Sequence, residues 1–133
     1  MRFHGPNVVS CEVIGSGNRT PLIGAYLPPS TLGHLPNLEE DLIRFWDQEP
    51  IVLGYLNADI GQAQNPRSHQ VDDLLMEFGL VDILHHFRKR CRFLHMKTWL
   101  QVQRGRFMRT RCDYILGTDW RQFEMVVIRD VRN

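Results

Sequence analysis

Long apolar runs are missing from this sequence of 133 residues. None approaches the roughly 20 residues that a helix needs to cross a bilayer. The N-terminal "MRFHGPNVV" lacks the charged region and apolar stretch of a secretory signal. No repeat, linker or low-complexity stretch interrupts the chain. With 43% hydrophobic and 10% aromatic residues, the sequence predicts a single globular domain over residues 1–133 and no membrane partner.

Cysteine is scarce and unpaired in its pattern. Cys11, Cys91 and Cys112 are odd in number, widely spaced and without a CxxC pair. A disulfide framework and a zinc site are therefore not predicted, and a reducing intracellular compartment is expected. We interpret the three thiols as packing residues.

Acidic residues are absent from one long segment. Between Asp82 and Asp113 there is no carboxylate, whereas nine Lys or Arg residues lie there, and residues 83–133 carry a net charge of +8 against −7 for residues 1–82. Such a block is typical of a surface that binds a polyanion. It is equally typical of a solvated face balanced by the acidic half, and both interpretations stay open.

Six or more strands are predicted from apolar alternation and turn residues. The segments "NVVSCEVIG" and "TPLIGAYLPP" form a hairpin around "GSGN", and "IVLGYL" is a short buried strand. The segment "LVDIL" is a short strand or an extended link. The remaining strand predictions are "KTWLQVQ" and "RFMRTRCDYILGT" around the turn at Arg104-Gly105, and finally "FEMVVIRDV". Residues 85–96 show no period and are expected to be a loop.

Two helices are predicted from 3.6-residue periodicity. The first begins at about Asn37, has acids in its first turn and ends before Pro50, and its apolar positions are Leu38, Leu42, Phe45 and Trp46. The second begins at about Ser68 as N-cap and ends at Gly79, with apolar positions at Val71, Leu74, Leu75 and Phe78. Alternating helices and strands between terminal hairpins predict a layered α/β or α+β sandwich.

The segment "GYLNAD" follows the strand "IVLGYL" and places a tyrosine and an asparagine where α/β proteins often carry chemistry. Because side chains alternate along a strand, Asn57 is expected on the same side as Tyr55. A carboxylate at position 55 would combine with the Asn57 amide to activate water. A phenol has a reference pKa near about 10 and cannot act as that base at neutral pH.

The segments "AYLPP", "GYLNAD", "KTW" and "RCDYILG", in this order, resemble the endonuclease/exonuclease/phosphatase superfamily. The nearest likeness is to the apurinic-type endonuclease domain of non-LTR (LINE-like) retrotransposon polyproteins. The resemblance implies an α/β (α+β) fold that is part of a two-sheet, four-layer sandwich, with a mixed sheet and flanking helices. It also implies Mg²⁺-dependent hydrolysis of DNA phosphodiesters, and an intracellular location in the cytoplasm or nucleus.

Site residues follow from the resemblance position by position. Tyr26 matches a tyrosine that contacts the scissile phosphate, Asn57 an asparagine that orients phosphate and nucleophile, and Thr98 a polar active-site position. Asp113 matches an aspartate that supports the catalytic histidine, while Tyr55 takes the place of the general-base aspartate. Taken singly, each of these residues also has a purely structural interpretation: Tyr26 and Trp99 as core aromatics, and Asp113 as a turn or strand-end acid.

Parts of the superfamily pattern are missing from this sequence. The upstream Asn and the metal-binding Glu are absent, and so is the terminal Ser-Asp-His motif. The chain is therefore expected to be a partial domain, and no metal ligand is predicted, although Asp59 and Asp113 remain. Such a chain would build about one sheet of the sandwich, which leaves apolar surface exposed and makes self-association possible.

Three functional hypotheses result. The first is a truncated, catalytically impaired Mg²⁺-dependent DNA endonuclease domain of retrotransposon type. The second is a non-catalytic nucleic-acid-binding remnant that uses the basic segment 88–111. The third is a working phosphodiesterase that completes its site with another chain, a phosphatase-like member of the superfamily included. The residues expected to bind nucleic acid are Arg67, Arg88, Lys89, Arg90, Arg104, Arg106, Arg109 and Arg111.

Overall fold

The computed structural model describes residues 1–3, 5–15, 17–28, 35–58, 66–83, 99–103, 106–110 and 113–119, of which 99–103 and 106–110 are described by their backbone alone. Two helices and eight strands lie in these ranges. In chain order they are β1 (Arg2–Phe3), β2 (Val8–Gly15), β3 (Asn18–Tyr26), α1 (Leu35–Phe45), β4 (Ile51–Tyr55), α2 (Pro66–Phe78), β5 (Val81–Asp82), β6 (Trp99–Gln103), β7 (Arg106–Thr110) and β8 (Asp113–Gly117).

Six of the strands form one mixed sheet in the order β1-β2-β3-β4-β8-β5. Strands β3 and β4 are parallel, and the other neighbours in the sheet are antiparallel. Helix α1 connects the two parallel strands, as a parallel connection requires a crossover. Strands β6 and β7 pair with each other in a separate two-stranded sheet. The predicted mixed sheet with flanking helices is confirmed.

One face of the sheet packs against the helices. Residues paired across neighbouring strands share a face, so Ser10, Ile23, Val52 and Leu116 form a row from β2 to β8. All four are at most 2% exposed. They adjoin one contiguous apolar core to which both helices contribute; its helical members include Leu38, Leu42, Phe45, Val71, Leu74 and Leu75.

The predicted N-terminal hairpin and central strand are confirmed. Strands β2 and β3 pair from Val8↔Ala25 to Gly15↔Asn18. Strand β4 is less buried than its apolar sequence suggested: Val52 is fully buried, but Leu53 is 42% exposed. The reason is that the helices cover only one face of the sheet, so a strand that is apolar on both faces leaves alternate residues open.

Helix α1 departs from the prediction at both ends. It begins at Leu35, so no acid lies in its first turn; Pro36 fits there because the first turn has no partner for its missing N–H. Asp41 is buried instead, at 1% exposure. The helix ends at Phe45, before the predicted stop at Pro50, and Trp46 enters a 3₁₀ turn and is 65% exposed.

Helix α2 begins at Pro66 rather than at Ser68. Proline suits the first helical position, since its fixed φ is helical and its N–H would have no partner. Ser68 is therefore inside the helix and fully buried, and the predicted N-cap was wrong. The predicted C-terminus is confirmed: Gly79 has φ +62°, and Leu80 N–H donates to the Leu75 carbonyl at 2.9 Å, as in a Schellman motif.

The predicted strand "RFMRTRCDYILGT" is two strands in two sheets. Its first half is β7, which pairs with β6, and its second half is β8, which lies between β4 and β5 in the main sheet. Periodicity could not separate them, because both halves are apolar enough for a strand and no proline or glycine stands between them. The predicted loop at 85–96 and strand "FEMVVIRDV" lie outside the described residues.

The described residues include both helices and one of the three cysteines, Cys11. Neither helix in the described part of the chain is both long and apolar enough to cross a membrane. Cys11 is a free thiol in β2 and is partly exposed. Cys91 and Cys112 lie outside the described residues.

Candidate functional site at the end of the central strands

Three polar side chains form a row where the central strands end. The parallel strands β3 and β4 have their C-terminal ends side by side, and the antiparallel strand β8 begins next to them. The register places Tyr26 opposite Tyr55 and Tyr55 opposite Asp113. All three therefore share one face, which is the face away from the helices. The sheet thus assembles three of the predicted site positions from strands far apart in sequence.

The two tyrosine rings of this row are neighbours. Their centroids are 5.8 Å apart and their planes are tilted by 35°, which is within the usual range for favourable aromatic pairs. Tyr26 is 49% exposed, so it is not the core aromatic that one reading of the sequence allowed. A phenol hydroxyl is both a donor and an acceptor, and Tyr26 therefore presents a hydrogen-bonding group to solvent.

Gly54 lets the two parallel strands approach closely just before this row. A Cβ at position 54 would lie 2.6 Å from the Ala25 carbonyl oxygen and 3.0 Å from a Leu56 methyl carbon. Backbone atoms cannot yield to such a contact, so any larger residue would push β3 and β4 apart. The glycine before Tyr55 therefore sets the spacing at which Tyr26 and Tyr55 meet.

Asn57 ties the end of β3 to the segment after β4. Its Nδ2 donates to the Leu27 carbonyl at 2.7 Å, while Leu27 N–H donates to the Tyr55 carbonyl at 2.9 Å. The Asn57 backbone is left-handed, with φ +50°, a conformation that asparagine tolerates better than most residues. Strand alternation, which placed Asn57 beside residue 55, holds only for extended backbone and so does not describe this turn.

Arg67 makes a second tie to the same corner. It is the second residue of α2, is 4% exposed, and donates from one terminal nitrogen to the Pro28 carbonyl at 2.8 Å. Burial lowers the pKa of its guanidinium, because the charged form loses hydration. The observed contact anchors α2 to the chain after β3. Its predicted contact with a phosphate stays a prediction.

Tyr114 is a site-supporting residue that the sequence did not reveal. Its hydroxyl donates to the Ala58 carbonyl at 2.7 Å, and the residue is 3% exposed. The bond holds the segment after β4 against β8. A buried tyrosine usually finds a partner for its hydroxyl, but the partner is 56 residues away in sequence, so no local pattern could identify it.

Several predicted site residues lie beyond what the structure describes. These are Thr98, Arg88, Lys89, Arg90, Arg104 and Arg111. Arg106 and Arg109 belong to β7, where their backbones pair with Gln103 and Leu100 of β6. The expectations for all eight residues remain predictions.

The described residues do not provide a magnesium site. Mg²⁺ takes oxygen ligands, usually one or two carboxylates with waters and substrate oxygens. Within the described ranges, no three His, Cys, Asp or Glu side chains cluster in a way that could hold a metal. Asp113 is the carboxylate of the row, and Asp59 lies outside the described residues. The oxygen donors of the described residues therefore do not fit Mg²⁺, the ion that the resemblance implies.

Comparison with known proteins identifies solved structures that share this fold. No family model and no curated protein sequence matches the chain. Solved structures do match: the endonuclease domain of TRAS1, a telomere-specific non-LTR retrotransposon, with 17% identity and a TM-score of 0.64; an endonuclease/exonuclease/phosphatase family protein from Leptotrichia buccalis, with 19% and 0.57; and an AP endonuclease from Archaeoglobus fulgidus, with 18% and 0.57.

The matches cover most of this chain but only part of the other proteins. They span 85%, 84% and 84% of this chain, and 51%, 42% and 52% of those three structures in the same order. The chain therefore spans about half the length of the structures that it matches. At identities below 20% the likeness establishes the fold, and the predicted resemblance is confirmed at that level: the chain has the backbone architecture of endonuclease/exonuclease/phosphatase proteins, retrotransposon endonuclease domains included.

Proposed function

We propose that this chain is a DNA endonuclease domain of retrotransposon type in which phosphodiester hydrolysis is impaired at position 55. The observation that carries the proposal is the row of Tyr26, Tyr55 and Asp113 at the ends of three neighbouring strands. The fold shared with endonuclease structures supports the substrate class. The impairment is supported by Tyr55, the middle residue of the row, because a phenol does not act as a general base at neutral pH.

Position 55 is where a base would be most effective. It lies between a phenol and a carboxylate, and it precedes by two residues an amide that is already held in place by Leu27. A carboxylate there could accept a proton from water, whereas a protonated phenol donates a hydrogen bond instead. General-base catalysis contributes about 10²–10⁴-fold to a rate, and this is the loss that we assign to Tyr55.

The cofactor of this proposed activity is Mg²⁺, which in phosphodiester hydrolysis neutralises charge on the phosphate. The described residues do not supply its ligands. The chain's own contribution is to bind and orient: Tyr26 offers a hydroxyl donor to an anionic oxygen. Missing metal ligands would add to the impairment.

The proposal is tested by restoring the carboxylate. We expect Tyr55→Asp to nick supercoiled plasmid in Mg²⁺ at least about a hundredfold faster than the unaltered chain, with the nicking abolished by EDTA. Plasmid conversion on agarose gels measures the rate. Far-ultraviolet circular dichroism of both proteins shows whether the fold is retained.

Tyr55→Asn is the matched control, since it has the size of aspartate without its basicity, and it should remain as inactive as the unaltered chain. Efficient EDTA-sensitive nicking by the unaltered chain would refute the impairment. Inactivity of a folded Tyr55→Asp protein would show that position 55 is not the residue that limits the reaction.

A non-catalytic role in binding nucleic acid is a second candidate. The hairpin of β6 and β7 is separate from the main sheet and carries Arg106 and Arg109 in its second strand. A two-stranded ribbon has dimensions that fit the major groove of DNA. Arginine side chains on such a ribbon would supply phosphate contacts.

A further inference from the structure

The face of the main sheet that points away from the helices is apolar across all six strands. We call it the open sheet face. Cross-strand register defines its members. Its large apolar and aromatic residues are Phe3, Val9, Cys11, Val13, Leu22, Tyr26, Ile51, Leu53, Tyr55, Val81 and Ile115.

These side chains are open to solvent to an unusual degree. Phe3 is 74% exposed, Val13 46%, Leu53 42% and Val81 41%. They come from four different strands, and Tyr26 is exposed as well, whereas the other members of the face are partly buried. Soluble monomers seldom present contiguous apolar patches larger than a few hundred Å², and a face of this composition is therefore expected to be covered in solution.

Charge is nearly absent from the open sheet face. Among the described residues of the six strands, Asp113 at one corner is the one ionisable carboxylate or cation on this side. Two copies can therefore meet face to face without bringing like charges together. A surface that is complementary to itself in this way suits an isologous contact about a two-fold axis.

The sheet edges are covered only in part. The two edge strands, β1 and β5, have two residues each, and they pair with Val9 and Ser10 of β2 and with Leu116 and Gly117 of β8. Edge-to-edge pairing is therefore the competing mode of association, and a substitution at Leu53 on the face distinguishes the two modes.

The face is large enough for a specific dimer. The strands of the face have 31 residues in total, and at about 4.8 Å between strands and roughly 3.3 Å per residue they cover about 490 Å². Two such faces would bury on the order of 1,000 Å² in total, the size that a specific interface needs to reach.

We propose that the open sheet face binds the open sheet face of a second copy of this chain. The two sheets would pack at about 10 Å separation with their strands about 30° apart, as in β-sandwiches. Leu53 lies at the centre, because its cross-strand partners are Gly24 on β3 and Ile115 on β8. The row of Tyr26, Tyr55 and Asp113 lies on this same face, so the dimer would cover the candidate site and any hydrolysis would belong to the monomer.

Sedimentation equilibrium of the whole chain tests the proposal. We expect a reversible dimer whose dissociation constant rises about thirtyfold or more in Leu53→Lys, because a lysine at the centre of an apolar contact must lose hydration without a partner. Ile43→Lys is the matched control: Ile43 is a 60% exposed aliphatic residue on α1, on the opposite side of the molecule. It should dimerise like the unaltered chain.

A second readout does not require a substitution on the face. Cys11 lies between Leu22 and the edge strand on the open sheet face, so in a Cys91→Ser/Cys112→Ser background its alkylation by a maleimide reports directly on coverage. We expect the rate to fall as protein concentration rises through the dissociation constant. A concentration-independent rate in a monomer overturns the proposal: a fast rate means a bare face, and a slow rate means that the same chain covers it. A dimer that Leu53→Lys leaves intact overturns it as well, because another surface would then form the contact.

Discussion

Gly54 and Tyr55 are adjacent residues with opposite roles in the candidate site. Gly54 is needed because the Ala25 carbonyl oxygen is 2.6 Å from where a Cβ would stand. Tyr55 then carries a large ring to the opposite face, where it meets Tyr26. The steric requirement of the first residue fixes the position of the second. A single substitution at 55 can therefore change the chemistry of the row without changing the strand that presents it.

Two substitutions at Asn57 separate the effect of its left-handed backbone on stability from the effect of its side-chain hydrogen bond. Asn57→Gly keeps the left-handed backbone but removes the donor to the Leu27 carbonyl, and should lower the free energy of unfolding by about 1–2 kcal/mol. Asn57→Ala also forces a Cβ into the left-handed region and should cost about 1 kcal/mol more. Equilibrium unfolding in urea measures both, and equal stability of the two variants would contradict the assignment of backbone strain to this residue.

At the scale of elements, helix ends determine how the site is built. Each of the two helices places a proline in its first turn, and α2 starts at Pro66 so that its second residue, Arg67, reaches the Pro28 carbonyl. At its other end Gly79 turns the chain back toward the sheet, and Leu80 N–H closes the Schellman bond. Strand β5 follows directly, at the edge of the sheet beside β8.

The C-terminal turn of α2 provides a clean test of this account. Gly79 and Gly15 both have open space where a Cβ would be, but only Gly79 has positive φ. Gly79→Ala should therefore destabilise the protein by about 1 kcal/mol and lower Tm by roughly 3–5 °C. Gly15→Ala, the control, should leave Tm unchanged or raise it slightly. Thermal denaturation followed by circular dichroism gives both Tm values. A similar shift in Tm for the two variants would mean that the positive φ of Gly79 does not determine the effect of the substitution.

At the scale of the whole molecule, charge and apolar surface are distributed unequally. The first 82 residues are acidic and the remainder is basic, while the helices cover one face of the sheet and leave the other open. A chain that spans about half the length of the structures it resembles thus combines a basic segment in its sequence with an apolar sheet face. The basic segment suits a polyanion, and the open sheet face suits another apolar sheet.

The proposed contact with nucleic acid predicts a steep dependence on salt. If four of the nine cations between Asp82 and Asp113 contact phosphates, the affinity for duplex DNA should fall roughly a hundredfold between 50 and 200 mM NaCl. Arg106→Gln/Arg109→Gln should reduce the slope of log affinity against log salt by about 2. Fluorescence anisotropy of a labelled duplex measures the slope, with Arg19→Gln/Arg44→Gln in the acidic half as control. Equal slopes for the two double variants would exclude the β6–β7 hairpin as the contact surface.

Much of the fold follows from local sequence patterns. The hairpin of β2 and β3, the central strand β4 and the apolar faces of both helices were predicted, because alternation and 3.6-residue periodicity are properties of the chain itself. The helix starts were predicted two residues late, since the apolar periodicity begins only after Pro36 and Pro66, which lie in the first turns. The division of 106–117 into β7 and β8 depends on which strand each half pairs with, and local sequence carries no such information.

Some features of the candidate site also follow from the sequence, whereas others depend on the tertiary structure. The sequence by itself determined that Tyr55 follows a short strand and that Tyr26 and Asp113 stand in segments resembling an endonuclease, because these are matters of order and residue type. Only the tertiary structure decided that the three form one row, that Asn57 and Arg67 hold its corner through the Leu27 and Pro28 carbonyls, and that the hydroxyl of Tyr114 reaches Ala58. These contacts join residues 29 to 58 positions apart, and such distances are closed by sheet pairing, not by local propensity.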